Sequence, residues 1–467
     1  MADGLRNSLG YFTEKILGWK IQPHQQNWVK LLTRIPLRLM ILAPREHGKT
    51  WFFGYGYPAW WLIRDPNVRI LYMTASDSKA TEQVTRLRRI IENDPLKKWF
   101  GDIASDRDQW TFYKLYRKRT LNFSEPSFQG IGLHSDIIGG HFDIIIYDDL
   151  FDEEDIATDD ARKKLEARFF GDLQGLTTPN SQVIVIGTRK HWADLYQKLL
   201  ESPAWTKLEQ KAIIKYPERW DYLPDGSGVE VHGEYEALWP ARWNIQSLLL
   251  KRREMGELFF EREYQNNPSF LKGQVFKDEW LSQEGVEYDS LPENLGMVQF
   301  WDLAISENPE ANYTVCVTLA IHDYQVGSQQ RRIYYIADML WAHLDFPSQC
   351  RQLRIQHDAY PNVYSVGVEA VSYQRALVQW ATENGLYYVM PIMQVKNKTL
   401  RLQALSPFFE NAQIKFPKGQ FPWKQQFRRE YLEFPEGEHD DILDALEGAL
   451  TLASKTNLGK PGFVSYQ

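Results

Sequence analysis

This sequence has few features that would allow covalent cross-links or thiolate-bound metals. Only two cysteines, Cys316 and Cys350, occur among 467 residues. So few thiols exclude a disulfide scaffold and a cysteine-ligated metal site, and they fit a reducing cytoplasm. No apolar run is long enough to cross a bilayer, and the N-terminus MADGLRNSLGYF lacks the basic and apolar regions of a signal peptide. We therefore expect no membrane-spanning segment, no membrane partner and no leader.

The sequence also lacks an excess of positive charge. Its 54 basic and 61 acidic residues give a net charge of −7, which excludes a small, basic, DNA-coating protein. Any contact with nucleic acid must then be a local patch. The length, with 43% hydrophobic residues and no internal repeat, predicts a globular chain of two or three domains.

The first part of the chain alternates between apolar runs and segments with helical spacing. Near-continuous apolar runs are typical of strands buried on both faces, and strands separated by helices predict a mainly parallel α/β sheet. The predicted strands are 36–43, 68–76, 142–149 and 181–188, with helices at 76–93 and 159–176.

The pattern changes in the second part. Residues 217–240 are rich in turn residues, and a helical segment (241–265) follows them. From about residue 295, three successive strand-like runs predict an antiparallel meander, and VYSVGVEA (363–370) predicts a fourth strand. Helices and a fifth strand follow, so we expect a mixed sheet. The predicted domains are 1–215, a small linker subdomain at 216–270, and 271–467.

Residues 41–50, ILAPREHGKT, join an apolar strand to a helix-forming segment and end like a phosphate loop. Ala43 stands where the pattern has its first glycine. In such a loop, backbone N–H groups and the helix N-terminus bind phosphate. Lys49 reaches the outer phosphates, the Thr50 hydroxyl binds Mg²⁺, and Gly48 lets the backbone approach. The alternative is a strand–turn–helix corner with a surface lysine.

Two carboxylates end the most apolar strand, HFDIIIYDD. Phosphate-loop enzymes need a carboxylate there to hold Mg²⁺ opposite the loop hydroxyl, and Asp148 is the candidate. Asp149 beside it is the candidate for polarising the attacking water, with Glu153 and Glu154 as alternatives. The competing interpretation is a solvated acidic loop.

Two further polar positions point to the same nucleotide site. IQPHQQNW precedes the first strand, and Gln25, or alternatively Gln26, is the candidate for reading the adenine edge. The strand 181–188 ends in Gly187-Thr188-Arg189. Such a polar strand end would lie near the γ-phosphate and couple hydrolysis to movement, unless it is an ordinary strand-to-loop junction.

Acids in the second part occupy strand ends and a helix start. Asp302 and Glu369 each follow an apolar strand, and Asp440, Asp441 and Asp444 open the final helix. Clustered buried carboxylates become tolerable when Mg²⁺ or Mn²⁺ neutralises them. Two such ions clamp a phosphodiester in an RNase H-like nuclease. For the helix acids alone, N-terminal capping is the competing explanation.

A basic, polar run precedes that last helix. It includes Lys398 and Arg401, which lie close in sequence to the acids and are the candidates for binding DNA. The alternative is a solvated helix face.

An ATPase followed by an RNase H-like nuclease resembles the large terminase subunit of tailed bacteriophages. The resemblance covers residues 20 to 455, and its most specific part is the last of the segments that carry it. These segments are APREHGKT, IIIYDDL, VIGT, the stretch LWPARWNIQSLLLKRREMGELFFEREYQNNP, FWDLA, VGVEA and FPEGEHDDILDAL. It implies a helicase-like phosphate-loop ATPase domain, the small linker subdomain, and an RNase H-like endonuclease domain.

The resemblance also implies roles for individual residues. ATP and one Mg²⁺ would bind at Lys49, Thr50 and Asp148, with Arg45 contacting the γ-phosphate. Up to two Mg²⁺ or Mn²⁺ ions would bind in the nuclease site, which comprises Asp302, Glu369 and Asp441, with Asp440 beside them. Many relatives have Asp-Glu where this chain has Asp148-Asp149. Many also carry an arginine before that strand, where this chain reads SDIIGGHFD, so the arginine that acts in trans is unassigned.

The partners implied by the resemblance are double-stranded DNA, a small terminase subunit, and the portal protein of the procapsid. The family forms a ring, thought to be a pentamer, on the portal in the host bacterial cytoplasm, and it is absent from the mature virion. The oligomeric state in solution stays open, with a monomer as one alternative. Two alternatives stay open at this point. One is a helicase–nuclease of DNA repair or phage defence, and the other is a nucleotide-gated adaptor without chemistry.

Overall fold

The chain folds into two compact units. The computed structural model describes residues 2–105, 110–136, 139–223, 226–268, 275–303, 313–326, 329–369, 375–386, 388–394, 397–437 and 439–456. The first unit comprises Met1–Tyr222, Val229–Arg252 and Phe259–Lys272, and the second comprises Leu223–Gly228, Arg253–Leu258 and Gly273–Gln467. Residues 216–270, predicted as a linker subdomain, contribute mainly to the first unit.

The first unit is built around a seven-stranded sheet. Its strands are β1 (Arg38–Leu42), β2 (Ile70–Thr74), β3 (Lys114–Leu115), β4 (Phe128–Gly132), β5 (Phe142–Asp148), β6 (Thr177–Gly187) and β7 (Thr206–Glu209). They lie in the order β3-β4-β2-β5-β6-β1-β7. All neighbouring pairs are parallel except the edge pair β3–β4. The mainly parallel sheet predicted from the sequence is confirmed.

Helices cover both faces of this sheet. They are α1 (Ala2–Asn7), α2 (Leu9–Ile16), α3 (Pro23–Thr33), α4 (Tyr57–Arg64), α5 (Asp77–Ile91), α6 (Asp94–Phe100), α7 (Asp159–Phe170) and α8 (Leu195–Glu201), with a π-helical turn at Trp51–Gly56 and 3-10 turns at Glu154–Ile156 and Leu173–Leu176. Along β1, Leu39 and Ile41 pack in one core cluster, whereas Met40 and Leu42 pack in another. Because both faces are buried, the strands are apolar throughout instead of alternating.

Short strands and two helices follow in the chain. The strands are β8 (Ile213–Lys215), β9 (Arg219–Tyr222), β10 (Val229–His232) and β11 (Glu236–Ala237), and the helices are α9 (Ile245–Met255) and α10 (Glu257–Gln265). The sequence predicted one helical segment at 241–265. The structure interrupts it at Gly256, whose φ of 80° lies in the left-handed region.

The second unit contains a mixed sheet. Its strands are β12 (Glu287–Tyr288), β13 (Gly296–Asp302), β14 (Thr314–Val326), β15 (Gln329–Ala342), β16 (Val363–Glu369), β17 (Val389–Ile392) and β18 (Ile414–Pro417). The order is β12-β18-β15-β14-β13-β16-β17. Strands β13, β14 and β15 form the predicted antiparallel meander, and β16 pairs in parallel with β13. The mixed sheet is therefore confirmed.

The helices of this unit are α11 (Asp278–Leu281), α12 (Phe346–Ala359), α13 (Arg375–Glu383), α14 (Lys398–Gln403), α15 (Ser406–Glu410), α16 (Pro422–Glu433) and α17 (Asp441–Lys455). Helix α17 packs against β13 and β14. A Cβ atom at Gly448 would come within 2.4 Å of the Phe300 ring, so glycine at this position allows the close packing. Within the described residues, no helix is both long and apolar enough to span a membrane.

Candidate active sites

The phosphate loop follows β1 and requires glycine at position 48. Gly48 has a φ of 86°, in the left-handed region. A Cβ atom there would also lie 2.8 Å from Nε2 of Gln25. Gln25 is buried, and its Oε1 accepts a hydrogen bond of 3.0 Å from the backbone N–H of Gln22, which holds the side chain in place. Gln26, the alternative, is exposed.

Lys49 turns into the loop and is buried. Its Nζ donates to the carbonyl oxygens of Ala43 (2.7 Å) and Pro44 (3.1 Å) and to Oγ1 of Thr188 (2.7 Å). Burial lowers the pKa of Lys49, although the nearby acids oppose that shift. The end of β6 therefore lies directly at the phosphate loop, where the sequence predicted it.

His47 is the residue in this loop that the phosphate-loop pattern does not explain. Its Nδ1 lies 2.8 Å from the carbonyl oxygen of Arg45, and its own carbonyl oxygen lies 3.0 Å from Nε2 of His24. Burial lowers the pKa of His47 to about 3. His47 is thus a neutral imidazole that holds the loop backbone through these contacts.

Asp148 ends β5 beside the loop and is 2% exposed. The Tyr72 hydroxyl donates to its Oδ2 over 2.6 Å, whereas its buried Oδ1 makes no hydrogen bond within the described part of the chain. Burial and repulsion from Asp149 raise the pKa of Asp148 to about 7, and Tyr72 and the Thr50 hydroxyl partly oppose this. A free carboxylate oxygen near a threonine hydroxyl fits the oxygen ligands that Mg²⁺ prefers.

Asp149 differs from the alternative acids in its surroundings. It has a φ of 42° and lines the same cavity as Lys49 and Thr50. Glu153 is instead 2.6 Å from Nη2 of Arg262, and neither it nor Glu154 belongs to the cavity lining. Among these acids, Asp149 is best placed to orient a water molecule.

Arg45 sits at the mouth of the loop and contacts Glu263. Its backbone N–H donates to the Glu263 carbonyl oxygen over 2.9 Å, and its Nη1 is 3.8 Å from Oε2 of Glu263. The guanidinium is 62% exposed, so it is free to move toward a phosphate.

The cavity beside the loop has a volume of about 530 Å³, which suits a nucleotide. Trp19, Trp239 and Arg242 line it from segments to which the sequence assigned no role in the nucleotide site. Trp239 lies in the turn-rich stretch and donates to Oε1 of Gln22 over 3.1 Å. The other lining residues are Gln25, Arg45, Glu46, Gly48, Lys49, Thr50, Trp51 and Asp149.

The carboxylates of the second unit meet where β13 and β16 end. These strands are parallel neighbours, with Trp301 opposite Val368, so Asp302 and Glu369 follow at the same sheet edge. Burial and repulsion from Asp444, Glu369 and Asp441 raise the pKa of Asp302 well above its usual range, and a hydrogen bond to Glu369 adds to the shift. Asp302 keeps some solvent exposure, but protein surrounds it on most sides.

Helix α17 brings the remaining acids to this edge. Asp440 is its N-cap, and Asp441 and Asp444 lie in its first turn. Asp444 is 4% exposed, and its charge raises the pKa of Asp302 more than the charge of Asp441 does. The sequence pattern grouped Asp444 with the helix acids but did not place it among the metal ligands.

The N-terminus of α17 is fixed by a buried glutamate from α16. Oε2 of Glu430 accepts hydrogen bonds from the backbone N–H groups of Ile442 (2.8 Å) and Leu443 (3.4 Å). Burial raises the pKa of Glu430 to about 7. Glu430 thereby positions the turn that carries Asp441.

Lys398 and Arg401, the residues predicted to bind DNA, contact the acids of α17. Nζ of Lys398 lies 2.7 Å from Oδ1 of Asp440 and 3.2 Å from Oδ2 of Asp444. Nη1 of Arg401 is 2.9 Å from Oδ1 of Asp444 and also contacts Glu447. Burial alone would lower the pKa of Lys398, but the attraction of Asp444 and Asp440 outweighs it and raises that pKa.

The donor chemistry of this cluster fits a divalent ion. Asp302, Glu369 and Asp441 offer only oxygen ligands, as Mg²⁺ and Mn²⁺ require. Oδ2 of Asp441 is buried and makes no hydrogen bond to the residues that the structure describes. As they stand, no three His, Cys, Asp or Glu side chains of the described residues are arranged to hold one ion. The ligand set predicted from the sequence therefore stays a prediction.

Part of the second unit matches a known protein family. Residues 299–452 match the model of the terminase RNase H-like domain. A large terminase subunit of enterobacteria phage T3 is 27% identical over 254 residues. That alignment covers 51% of this chain and 42% of the relative.

Solved structures agree on the fold. A large terminase from a thermophilic bacteriophage matches with a TM-score of 0.51 at 12% identity, covering 96% of this chain and 98% of that one. The same terminase in complex with ATP-γ-S matches with a TM-score of 0.50 at 12% identity, over 95% of this chain and 97% of that one. The predicted recognition and fold class are confirmed: residues 299–452 match the terminase RNase H-like domain model, on a chain with the fold of a phage large terminase.

Proposed function

We propose that this chain is the large subunit of a phage terminase, which translocates double-stranded DNA with ATP and cuts it with a divalent-metal endonuclease. One observation carries the proposal. The same chain holds a phosphate loop beside Asp148 and a carboxylate cluster within a terminase RNase H-like domain. The thermophilic-phage terminase that shares this fold was solved with ATP-γ-S, which supports a nucleotide in the 530 Å³ cavity.

In the proposed ATPase site, each polar group has a separate task. Lys49 exchanges its bonds to the loop carbonyl oxygens for the outer phosphates of ATP, and Arg45 swings to the γ-phosphate. Thr50 and Asp148 would hold Mg²⁺, which neutralises charge on the phosphates. Asp149 orients the attacking water. Thr188 loses its hydrogen bond from Lys49 when Lys49 moves to the phosphates, and this loss couples the nucleotide to the end of β6.

In the proposed nuclease site, Asp302, Glu369 and Asp441, with Asp440 beside them, would hold Mg²⁺ or Mn²⁺. When bound, the ions would supply Lewis acidity toward the phosphodiester. Asp302 and Glu369 are fixed by the sheet, and Asp441 is fixed by the Glu430 cap on α17. This positioning by rigid elements favours precise geometry.

The proposed partners follow from the same assignment. They are double-stranded DNA, a small terminase subunit, and the portal protein of a procapsid. The chain would act as a homo-oligomeric ring docked on the portal in the cytoplasm of the host bacterium.

The test measures ATP turnover and plasmid cleavage in one set of variants. We expect Lys49→Ala to lose ATP turnover by at least about a hundredfold and to keep Mn²⁺-dependent cutting. We expect Asp302→Asn to show the reverse. Lys79→Ala and Asp289→Asn, at exposed ion pairs of the same units, should leave both activities unchanged.

Turnover in Lys49→Ala equal to that of the wild type would rule out the phosphate site. Equal cutting by Asp302→Asn would rule out the nuclease site. A strand-displacement assay should show no unwinding, because a packaging motor moves duplex intact. Efficient unwinding would point to a helicase–nuclease.

A further inference from the structure

The position of Lys398 indicates a role in addition to DNA contact. Its ammonium group lies between two acids of α17, 2.7 Å from Asp440 and 3.2 Å from Asp444. Asp444 in turn is the strongest repulsive neighbour of Asp302. One lysine therefore supplies positive charge to Asp440 and Asp444, which belong to the same carboxylate cluster as the proposed metal ligands.

The two basic residues of α14 are held differently. The Arg401 side chain is 10% exposed and is held by both Asp444 and Glu447, so it is fixed. The Lys398 side chain is 43% exposed and is the first residue of α14, where Asn397 caps the helix. A half-exposed lysine on a flexible stem can leave its partners at low cost.

We propose that Lys398 is a built-in counter-ion of the carboxylate site and competes with the divalent ion for it. This inference rests on the proposed nuclease function and deepens it. While Lys398 contacts Asp440 and Asp444, the negative charge available to a metal is reduced. A DNA phosphate that attracts Lys398 removes the competitor, so DNA and metal favour each other's binding. Such coupling is reciprocal by thermodynamic necessity.

The test is a calorimetric titration of the full chain with Mn²⁺ in the absence of DNA. Lys398→Gln removes one positive charge close to the site. Its affinity for Mn²⁺ should therefore exceed that of the wild type by on the order of tenfold. Lys398→Arg keeps the charge and should bind Mn²⁺ like the wild type. Lys424→Gln is the matched control, because Lys424 belongs to the same unit but pairs with Glu287 at 3.0 Å.

A second titration, with a duplex oligonucleotide present, tests the coupling between DNA binding and metal binding. It uses Ca²⁺ in place of Mn²⁺ to avoid cleavage of the duplex. Wild type should bind Ca²⁺ more tightly with duplex than without, and Lys398→Gln should show little difference. If Lys398→Gln does not fold, Lys398→Met, with an apolar chain of similar length, takes its place.

Mn²⁺ affinity of Lys398→Gln that is equal to or weaker than wild type would overturn the inference. Weaker duplex binding with unchanged metal affinity would show that Lys398 is only a phosphate contact, which also overturns it. No Mn²⁺ binding to the wild type would instead contradict the proposed nuclease site. The two failures are therefore distinguishable.

Discussion

The phosphate loop of the first unit and the carboxylate cluster of the second both hold buried charge, but they compensate it differently. At the loop, the single buried ammonium group of Lys49 is satisfied mainly by neutral oxygens from Ala43, Pro44 and Thr188. At the cluster, several acids repel one another, and Lys398 and Arg401 offset only part of that charge.

The difference indicates what each site is suited to receive. A lysine bonded to neutral carbonyl oxygens can exchange them for a polyphosphate anion with a large electrostatic gain. A cluster with excess negative charge gains from a divalent cation. The contrast therefore predicts that removing a charge has opposite effects at the two sites. The following variants probe the two sites in order of decreasing effect.

The largest expected effect on stability is at Glu430. This buried acid lies next to the carboxylate cluster and accepts hydrogen bonds from the first turn of α17. The pKa of its carboxyl group is about 7 in the folded chain and near 4.5 when unfolded. Because the folded value is the higher one, this group's stabilising contribution is present below pH 4.5 and is lost as the pH rises toward 7. The full loss is about 3 kcal/mol.

Glu430→Gln should remove this dependence. Chemical denaturation at pH 5 and pH 8 should show the variant gaining about 2 kcal/mol on the wild type at the higher pH. Glu433→Gln, a partly exposed position on the same helix, should show no such gain. Parallel pH profiles for wild type and Glu430→Gln would contradict the assignment.

The second effect tests the loop backbone. Gly48→Ala should destabilise the chain by about 2 kcal/mol, because a positive φ and the Gln25 side chain both oppose a Cβ atom. Gly18 has a φ of 72° with no atom within 4 Å of a Cβ, so Gly18→Ala should cost about 1 kcal/mol. Thermal unfolding measures both, and equal losses would show that Gln25 does not constrain the loop.

The third effect contrasts activity with stability at Asp302. Removing one of several mutually repelling carboxylates should raise the free energy of unfolding by about 1 kcal/mol in EDTA, even though the same variant is expected to stop cutting. Asp289→Asn, at an exposed acid of the same unit, serves as the control. A lower free energy of unfolding for Asp302→Asn would show that the acids are not in repulsive contact.

The smallest effect concerns Arg45. Loss of the Arg45–Glu263 contact itself should change stability by less than about 0.5 kcal/mol, because the pair is 3.8 Å apart and Arg45 is 62% exposed. Glu263→Gln also weakens the buried contact of Glu263 with Arg262 at 3.0 Å, so its effect on Arg45 is measured by kinetics. Freed from Glu263, Arg45 should lower the KM for ATP by about twofold. Steady-state kinetics beside Glu201→Gln, an exposed control, would show this, and an increased KM would indicate that Glu263 orients Arg45 toward ATP.

The two sites also differ in how far the sequence predicted them. The loop residues from Ala43 to Thr50 are contiguous, so one motif located them and the apolar run before Asp148 located the opposing acid. Trp239 and Arg242 reach the same cavity from the junction between the turn-rich stretch and the helical segment that follows it, so only the fold could place them there. The cluster acids were predicted from strand ends and from the start of the last helix. The contacts of Lys398 with Asp440 and Asp444 depend on how α14 packs against α17, which the sequence does not show.

Missed strands have a similar cause. Strand β4 contains Gly130 and Gly132, which interrupt its apolar pattern. A Cβ atom at Gly130 would lie 2.7 Å from Val84, and one at Gly132 would lie 2.6 Å from the backbone nitrogen of Asp77. These glycines allow α5 to pack closely on the sheet, and this tertiary contact leaves no local signal for a strand.

The most direct test of the account is the anomalous diffraction of crystals of the chain soaked with Mn²⁺. If the carboxylate cluster is a divalent-metal site, one or two Mn²⁺ peaks will lie among the side chains of Asp302, Glu369 and Asp441. Ordered crystals with bound Mn²⁺ elsewhere and none among these three carboxylates would contradict the account.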